Sequence, residues 1–294
     1  MRLSNFSWAA LPLVVAFTPQ AVPAADEHDA PIYRITVVQR SLAAVNYGHR
    51  SLPTKVDFRG TVLAPEAHGS ATIESKAGAV LVHAKFGALG SPAKFGAQYL
   101  TYVLWAISPE GQTERLGEVI TNHSNDAKLE VTTSLQTFGL LVTAEPYFAV
   151  TKPGPVVVME NVLRPDTVGT VEQVSAKYEL LPRAESYTVN LPPAGASGGN
   201  GAMVSQREYE AVLALYQARN AIQIAKAEGV GARGQETLAK AERLAQEAEQ
   251  IRDRKANSER VIMLARQAVQ TAEDARNIAA HGAAHDRVVS SSIK

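Results

Sequence analysis

The sequence predicts a multidomain β-plus-α protein, an antiparallel β-sandwich followed by an alanine-rich helical unit. Three observations carry this. Between residues 32 and 181 short runs of Val, Thr, Leu, Tyr and Phe are separated by Gly and Pro, the pattern of antiparallel strands. Residues 182–206 are rich in Pro, Gly and Ser, with almost nothing to bury. From residue 207 proline vanishes, and Ala, Glu, Gln, Arg and Leu dominate. Many short strands with turn signals and no intervening helical period specify an Ig-like sandwich; the tail specifies an antiparallel helical hairpin or a three-helix bundle.

The order begins with an address. Met1 and Arg2 precede a mostly apolar stretch over 6–17, and small residues at 21–25 lead into Asp26 and Glu27. This is the layout of a signal peptide over residues 1–24, with Val22 and Ala24 at the small positions before a cut. The apolar part is too short for a permanent span of a bilayer about 30 Å thick. No later run is longer and equally apolar, so the expected location is periplasmic or secreted, with no integral membrane segment after cleavage.

The β-domain is assigned to residues 30–181, with strands at 32–39, 56–63, 71–75, 79–86, 98–107, 113–121, 128–133, 139–144, 156–161 and 171–180. Over 100–107 apolar residues occupy both faces: Leu100, Tyr102, Leu104 and Ala106 on one, Thr101, Val103, Trp105 and Ile107 on the other. Such a strand belongs in the middle of a core. It ends at Ser108, Pro109, Glu110 and Gly111, where Pro suits the second place of a type I turn and Gly the fourth, which predicts a hairpin with the strand that follows. The linker at 182–206 leaves the orientation of the two flanking domains unconstrained.

Helices are predicted over 207–228, 235–253 and 257–280, within a helical domain at 207–281 and before a flexible tail at 282–294. Gly229, Gly231 and Gly234 make the first break. Ala211, Ala214, Ala218, Ala221 and Ala225 recur at intervals of three and four, as do Leu238, Ala241, Ala245 and Ala248, and then Ala265, Ala268, Ala272, Ala275 and Ala279. Each set is a narrow stripe of methyl groups with the period of a coiled-coil seam. Alanine seams let helices approach closely but bury little area per residue, at about 25 cal/mol per Å². The expectation is therefore that these alanines form an interaction surface, for a second copy or another envelope protein.

The composition narrows the chemistry. There are 29 basic and 29 acidic residues and no cysteine, which argues against a dedicated nucleic-acid binder and against thiol catalysis or thiolate-held metals. The seven histidines, His28, His49, His68, His83, His123, His281 and His285, are scattered apart from the last two. His281 and His285 have a metal-compatible spacing without a third ligand, and read as cationic groups near a helix end. Gly195, Ala196, Ser197, Gly198 and Gly199 lack the strand and helix that a nucleophile turn needs, and the lysine of a phosphate loop. Glu145 and Glu160 have no spacing that brings them together as an acid–base pair; Glu145, before Pro146, reads as a strand end. Arg252, Arg254 and Lys255 read as a solvated helix end beside Asp253 and Glu259. Trp105 and Tyr102 read as core. Tyr147 and Phe148, beside Pro146, are the aromatics expected at the surface for ligand contact.

Two resemblances add to this. The sequence from Tyr102 through Trp105 to Gly111, then Leu116, Gly117, Glu118 and Val119, then Thr143, Glu145 and Pro146, then Pro153, Gly154 and Pro155, resembles the extracytoplasmic β-sandwich of the anti-sigma-K factor family. It covers about residues 80–160, without that family's sigma-binding and membrane parts, and so implies a fold and a location outside the membrane. The helical half resembles an alanine-rich domain of unknown function in bacterial envelope proteins, through Ala218, Ala221, Ile222, Ala225, Gly229, Gly231, Ala232, Leu238, Ala241, Leu244 and Ala245, then Ala265, Ala268, Ala272 and Ala275. In relatives of that kind a peptidoglycan-binding domain often follows; no motif for peptidoglycan contact is found here. Together the readings predict a non-enzymatic exported envelope protein with a scaffold or interaction role, without cofactor, metal or nucleic-acid partner. The alternative is a periplasmic ligand-binding or sensory accessory protein whose sandwich recognises a glycan or peptide.

Overall fold

The computed structural model describes residues 42–48, 52–122, 124–167, 171–174, 205–254 and 257–292. The expected signal peptide, the strand at 32–39 and the linker at 182–206 lie outside these. The architecture is a large antiparallel sheet followed by three helices.

Among the described residues there are ten strands: β1 (Leu42–Asn46), β2 (Thr54–Gly60), β3 (His68–Lys76), β4 (Ala79–Gly87), β5 (Thr101–Ile107), β6 (Thr113–Val119), β7 (Ala127–Thr133), β8 (Thr137–Glu145), β9 (Val157–Leu163) and β10 (Val171–Val174). One hydrogen-bonded path runs β10-β1-β8-β9-β2-β3-β4-β7. β5 takes the edge of β8 opposite β9, and β6 lies outside β5. The β7 end of the path meets β6, the outer strand of the β5–β6 branch. Thr133 on β7 donates its hydroxyl to Glu114 on β6 at 2.7 Å, and a β-carbon at Gly117 would stand 3.2 Å from side-chain atoms of both Leu129 and Val131. The sheet thus curls almost into a barrel around one interior, where the sequence suggested two stacked sheets. Strand alternation fills that interior: on β4, Val80, Val82, Ala84 and Phe86 point in.

The hairpin predicted at Ser108 is present. Gly111 donates its N–H to the Ser108 carbonyl at 3.0 Å and adopts φ 86°, a conformation that favours glycine. β5 is buried along its whole length, as its two apolar faces require. Tyr102, Leu104 and Ala106 enter the barrel interior. Val103, Trp105 and Ile107 enter a second core shared with the helices.

The helices are α1 (Gln206–Glu228), α2 (Gly231–Asp253) and α3 (Ser258–Ser292). α1 starts one residue before the predicted position because Ser205 and Glu208 form a reciprocal capping box, and it ends where Gly229 turns left-handed at φ 70°. Asn257 caps α3 by accepting the amides of Glu259 and Arg260 at 3.0 and 3.2 Å. α3 continues to Ser292, so the tail expected to be flexible from residue 282 is helical. No proline interrupts that stretch, and Gly282 packs beside the Arg233 side chain of α2. Arg219–Glu249 and Lys226–Glu242 tie α1 to α2, and Arg260–Glu247 ties α2 to α3, which makes successive helices antiparallel.

The alanine seam lies inside the chain. Ala211, Ala214, Ala218, Ala221, Ala225, Ala241, Ala245, Ala248, Ala265, Ala268, Ala272 and Ala275 are all buried, and Ala279 packs partly against them. The methyl stripes expected to meet a partner instead meet one another and the sheet. The sheet and helices fall in one compact unit, so their relative orientation is set by packing rather than left open by the linker.

Candidate functional site

The residues with the most distinctive chemistry converge where α1 and α3 cover the sheet. The floor is the outward side of β5 and β8, where Trp105 and Leu141 lie against the helices and Thr143 and Glu145 are also fully buried. The roof is one line along α3, Arg266, Val269, Glu273 and Arg276, spaced by three and four residues beside the alanine stripe. Gln217 and Asn220 on α1 complete it.

In the floor, the Trp105 indole donates Nε1–H to Thr143 Oγ1 at 2.8 Å, and the Thr143 hydroxyl donates to Glu145 Oε1. The amide of Gly154 donates to the same oxygen at 2.6 Å. Glu145 has no solvent exposure, and its Oε2 has no hydrogen-bond partner. A β-carbon at Gly154 would stand 2.8 Å from Oε2, so only glycine lets this backbone come so near. Burial pushes the Glu145 carboxyl up to about 8, and the negative Glu273 adds to the rise against the opposing bonds from Thr143 and Gly154.

Beside it the loop after β8 meets α3. Tyr147 donates its hydroxyl to Glu273 Oε2 at 2.7 Å, and Thr151 donates its hydroxyl and amide to Oε1 at 2.8 and 3.2 Å. Arg276 bonds Glu273 at 2.6 Å, also contacts the Tyr147 hydroxyl, and reaches both oxygens of Glu228 at 2.7 Å. Burial of Arg276 disfavours its charge, but Tyr147, Glu228 and Glu273 outweigh this and raise the guanidinium above its ordinary range. Burial, then Glu273, drive the Tyr147 phenol well above its usual value.

Phe148 sits beneath Arg266, whose guanidinium lies 3.8 Å from the ring centroid, with Arg115 5.9 Å from it. Arg115 donates to the Phe148 carbonyl at 2.8 Å, while the Phe148 amide donates to Gln217 at 2.8 Å. Gln217 in turn donates to Glu118 at 2.6 Å, and Arg266 pairs with the same carboxylate. Asn220 donates to the carbonyls of Gln98 and Pro146 at 3.0 and 3.3 Å. The loop carbonyls and amides that no backbone ladder satisfies are thus satisfied by side chains, Arg115 from β6 and Gln217, Asn220 and Glu273 from the helices.

Tyr147 and Phe148 are therefore not the exposed ligand platform expected of them: Tyr147 is fully buried and Phe148 packs against the helical core. A loop position beside Pro146 suggests exposure, but the helical layer covers this loop. Trp105 and Tyr102 are core, on opposite faces of β5. Glu160 lies on β9 opposite Leu141 and pairs with Arg59 at 3.4 Å, apart from Glu145. His281 donates its Nδ1–H to the Asn277 carbonyl at 2.8 Å, and because α3 continues to Ser292 it lies within the helix rather than near the end expected for it; the His285 side chain lies outside the described residues. Arg252 pairs with Asp253 at 2.7 Å, as a solvated helix end does. Among the described residues no three His, Asp or Glu side chains are grouped to hold a metal, and no helix is long and apolar enough to cross a membrane.

Sequence reasoning missed Glu118, Gln217, Asn220, Arg266, Glu273 and Arg276. The available signal was the polar line on α3 keeping step with the alanine stripe, which locally looks the same as a solvated face. No family model matches the chain, and neither the curated proteins nor the solved structures give a match. Trp105, Thr143, Glu145 and Gly154 form one hydrogen-bonded chain.

Proposed function

We propose that this is a non-enzymatic exported protein of the cell envelope with a scaffold or interaction role, in which the helical layer presents its outer side to a partner. The observation that carries the reading is the use of the buried ionic and amide groups. Glu118, Gln217, Arg266, Glu273 and Arg276 all serve to fix the helices on the sheet, as a rigid presenting module requires. The alanine seams are spent inside, so association is assigned to the outer helical surface, where Tyr209, Met263 and Ile278 are 46%, 58% and 40% exposed. Export rests on the pattern of residues 1–25.

Cell fractionation with site-specific photocrosslinking tests this. Photoreactive residues at Met263 and Ile278 are expected to give one reproducible crosslinked species, a second copy or a fixed envelope component, from a chain shortened at its N-terminus. An unprocessed chain in the cytosol that yields no adduct at either position would overturn the proposal.

A further inference from the structure

Arg115 is a part-buried guanidinium whose charge the chain does not match. It stands on β6 opposite Trp105 of β5, and donates from Nη1 to the Phe148 carbonyl at 2.8 Å. It forms no ion pair among the described residues, because the carboxylates that act on it are already engaged. Glu118 accepts from Thr101 at 2.8 Å and Gln217 at 2.6 Å on one oxygen, and pairs with Arg266 through the other. Glu273 is taken by Tyr147, Thr151 and Arg276. Burial draws the Arg115 guanidinium below its ordinary range, and Arg266 acts in the same direction, against the opposing pull of Glu273 and Glu118.

Arg266 lies across the same aromatic ring, its guanidinium 3.8 Å from the Phe148 centroid and that of Arg115 5.9 Å from it. Two cations thus gather at one ring, with only Glu118 paired to either of them among the described residues. The place is open to solvent: the Arg266 side chain is 38% exposed, and Met263, one turn earlier on α3, is 58% exposed. Both guanidiniums are held in position, Arg115 by the Phe148 carbonyl and Arg266 by Glu118 and the ring, so a ligand would meet them with little further ordering of side chains. A guanidinium offers a planar fork of N–H donors that fits two oxygens of one carboxylate or phosphate.

We propose that Arg115 and Arg266, on either strand and helix beside Phe148, form a binding site for an oxyanion, a carboxylate or a phosphate group, at the rim where α3 meets β6. Arg115 is the main donor, through the N–H groups that the Phe148 carbonyl leaves free. A free ion and an acidic side chain of a partner protein share this chemistry, and separate titrations distinguish them.

The full-length chain is titrated by calorimetry at low ionic strength with inorganic phosphate and, separately, with a capped aspartate, N-acetylaspartic acid N-methylamide. Saturable one-to-one binding of at least one is expected, the tighter of the two naming the source. Arg115→Gln is expected to weaken it about tenfold or more, the effect of losing a charged hydrogen-bond donor. Arg59→Gln, which alters a 71% exposed arginine on β2, is expected to leave it unchanged. Binding of neither probe, or an equal loss in both variants, overturns the site. Modification of the parent with phenylglyoxal, read by peptide mass spectrometry, does not depend on any variant folding. The bound anion is expected to protect Arg115 and Arg266 and not Arg59; protection of none, or of all three alike, overturns the proposal.

Discussion

Glu273 lies in the middle of a helix segment, Thr271 to Arg276, that reads locally as an ordinary solvated surface, yet its side chain is 1% exposed. It is buried because three partners converge on it: Tyr147 and Thr151 from the loop after β8, and Arg276 one turn along. Breaking a buried ion pair leaves the other charge unmatched, so Glu273→Ala is expected to lower stability by about 3–5 kcal/mol in urea denaturation. Tyr147→Phe, which removes one bond to the same carboxylate, is expected to cost about 1–3 kcal/mol by the same measurement. Trp105 shows the opposite kind of legibility. Its strand is apolar on both sides, so its burial follows from alternation alone. Tyr147 was misread because the residues next to it mark a loop, and nothing local says that a helix lies over that loop.

Alanine periodicity located all three helices and the sides on which they touch. It did not reveal that those sides face each other within one chain, since a stripe of methyl groups carries no information about which surface closes over it. The closeness of the seam is visible at Gly234 of α2, where a β-carbon would stand 2.7 Å from the Ala275 carbonyl oxygen of α3. Gly234→Ala is therefore expected to push α2 from α3, and Ala268→Leu to overfill the seam, each with a loss of about 1–3 kcal/mol read from chemical denaturation. Unchanged stability in Ala268→Leu would show that the seam is looser than its buried alanines indicate. α1 has little amphipathic contrast because it is covered on several sides: its alanines meet the other helices, while Gln217 and Asn220 bond to loops of the β-domain. Two buried amides at a spacing of three resemble any polar helix face until the loops they satisfy are known. Helix starts were less legible than helix sides, since the box of Ser205 and Glu208 begins α1 just outside the alanine pattern.

The barrel-like sheet and the helical layer share a core that runs from Leu42, Trp105 and Leu141 into α1, α2 and α3. Such a shared core couples their unfolding. In denaturant, Trp105 fluorescence and helical circular dichroism are expected to change together in one transition; two separated transitions would contradict the docked arrangement. The local pattern of residues was enough to determine most of the strands, the three helices in outline, the hairpin at Ser108, the two-sided burial of β5 and the alanine sides of the helices, but not β1 (Leu42–Asn46) or the extension of α3 to Ser292. Those features depend on neighbours within a few positions, where alternation, helical spacing and turn chemistry act directly. Long-range packing decided that the sheet curls until β6 meets β7, that helices cover Tyr147 and Phe148, and that a polar line on α3 becomes the roof of a buried cluster. These depend on which distant surface supplies the better match of shape and hydrogen bonds, and residues more than a hundred positions apart, such as Tyr147 and Glu273, 126 residues apart, leave no trace of that match in either local sequence.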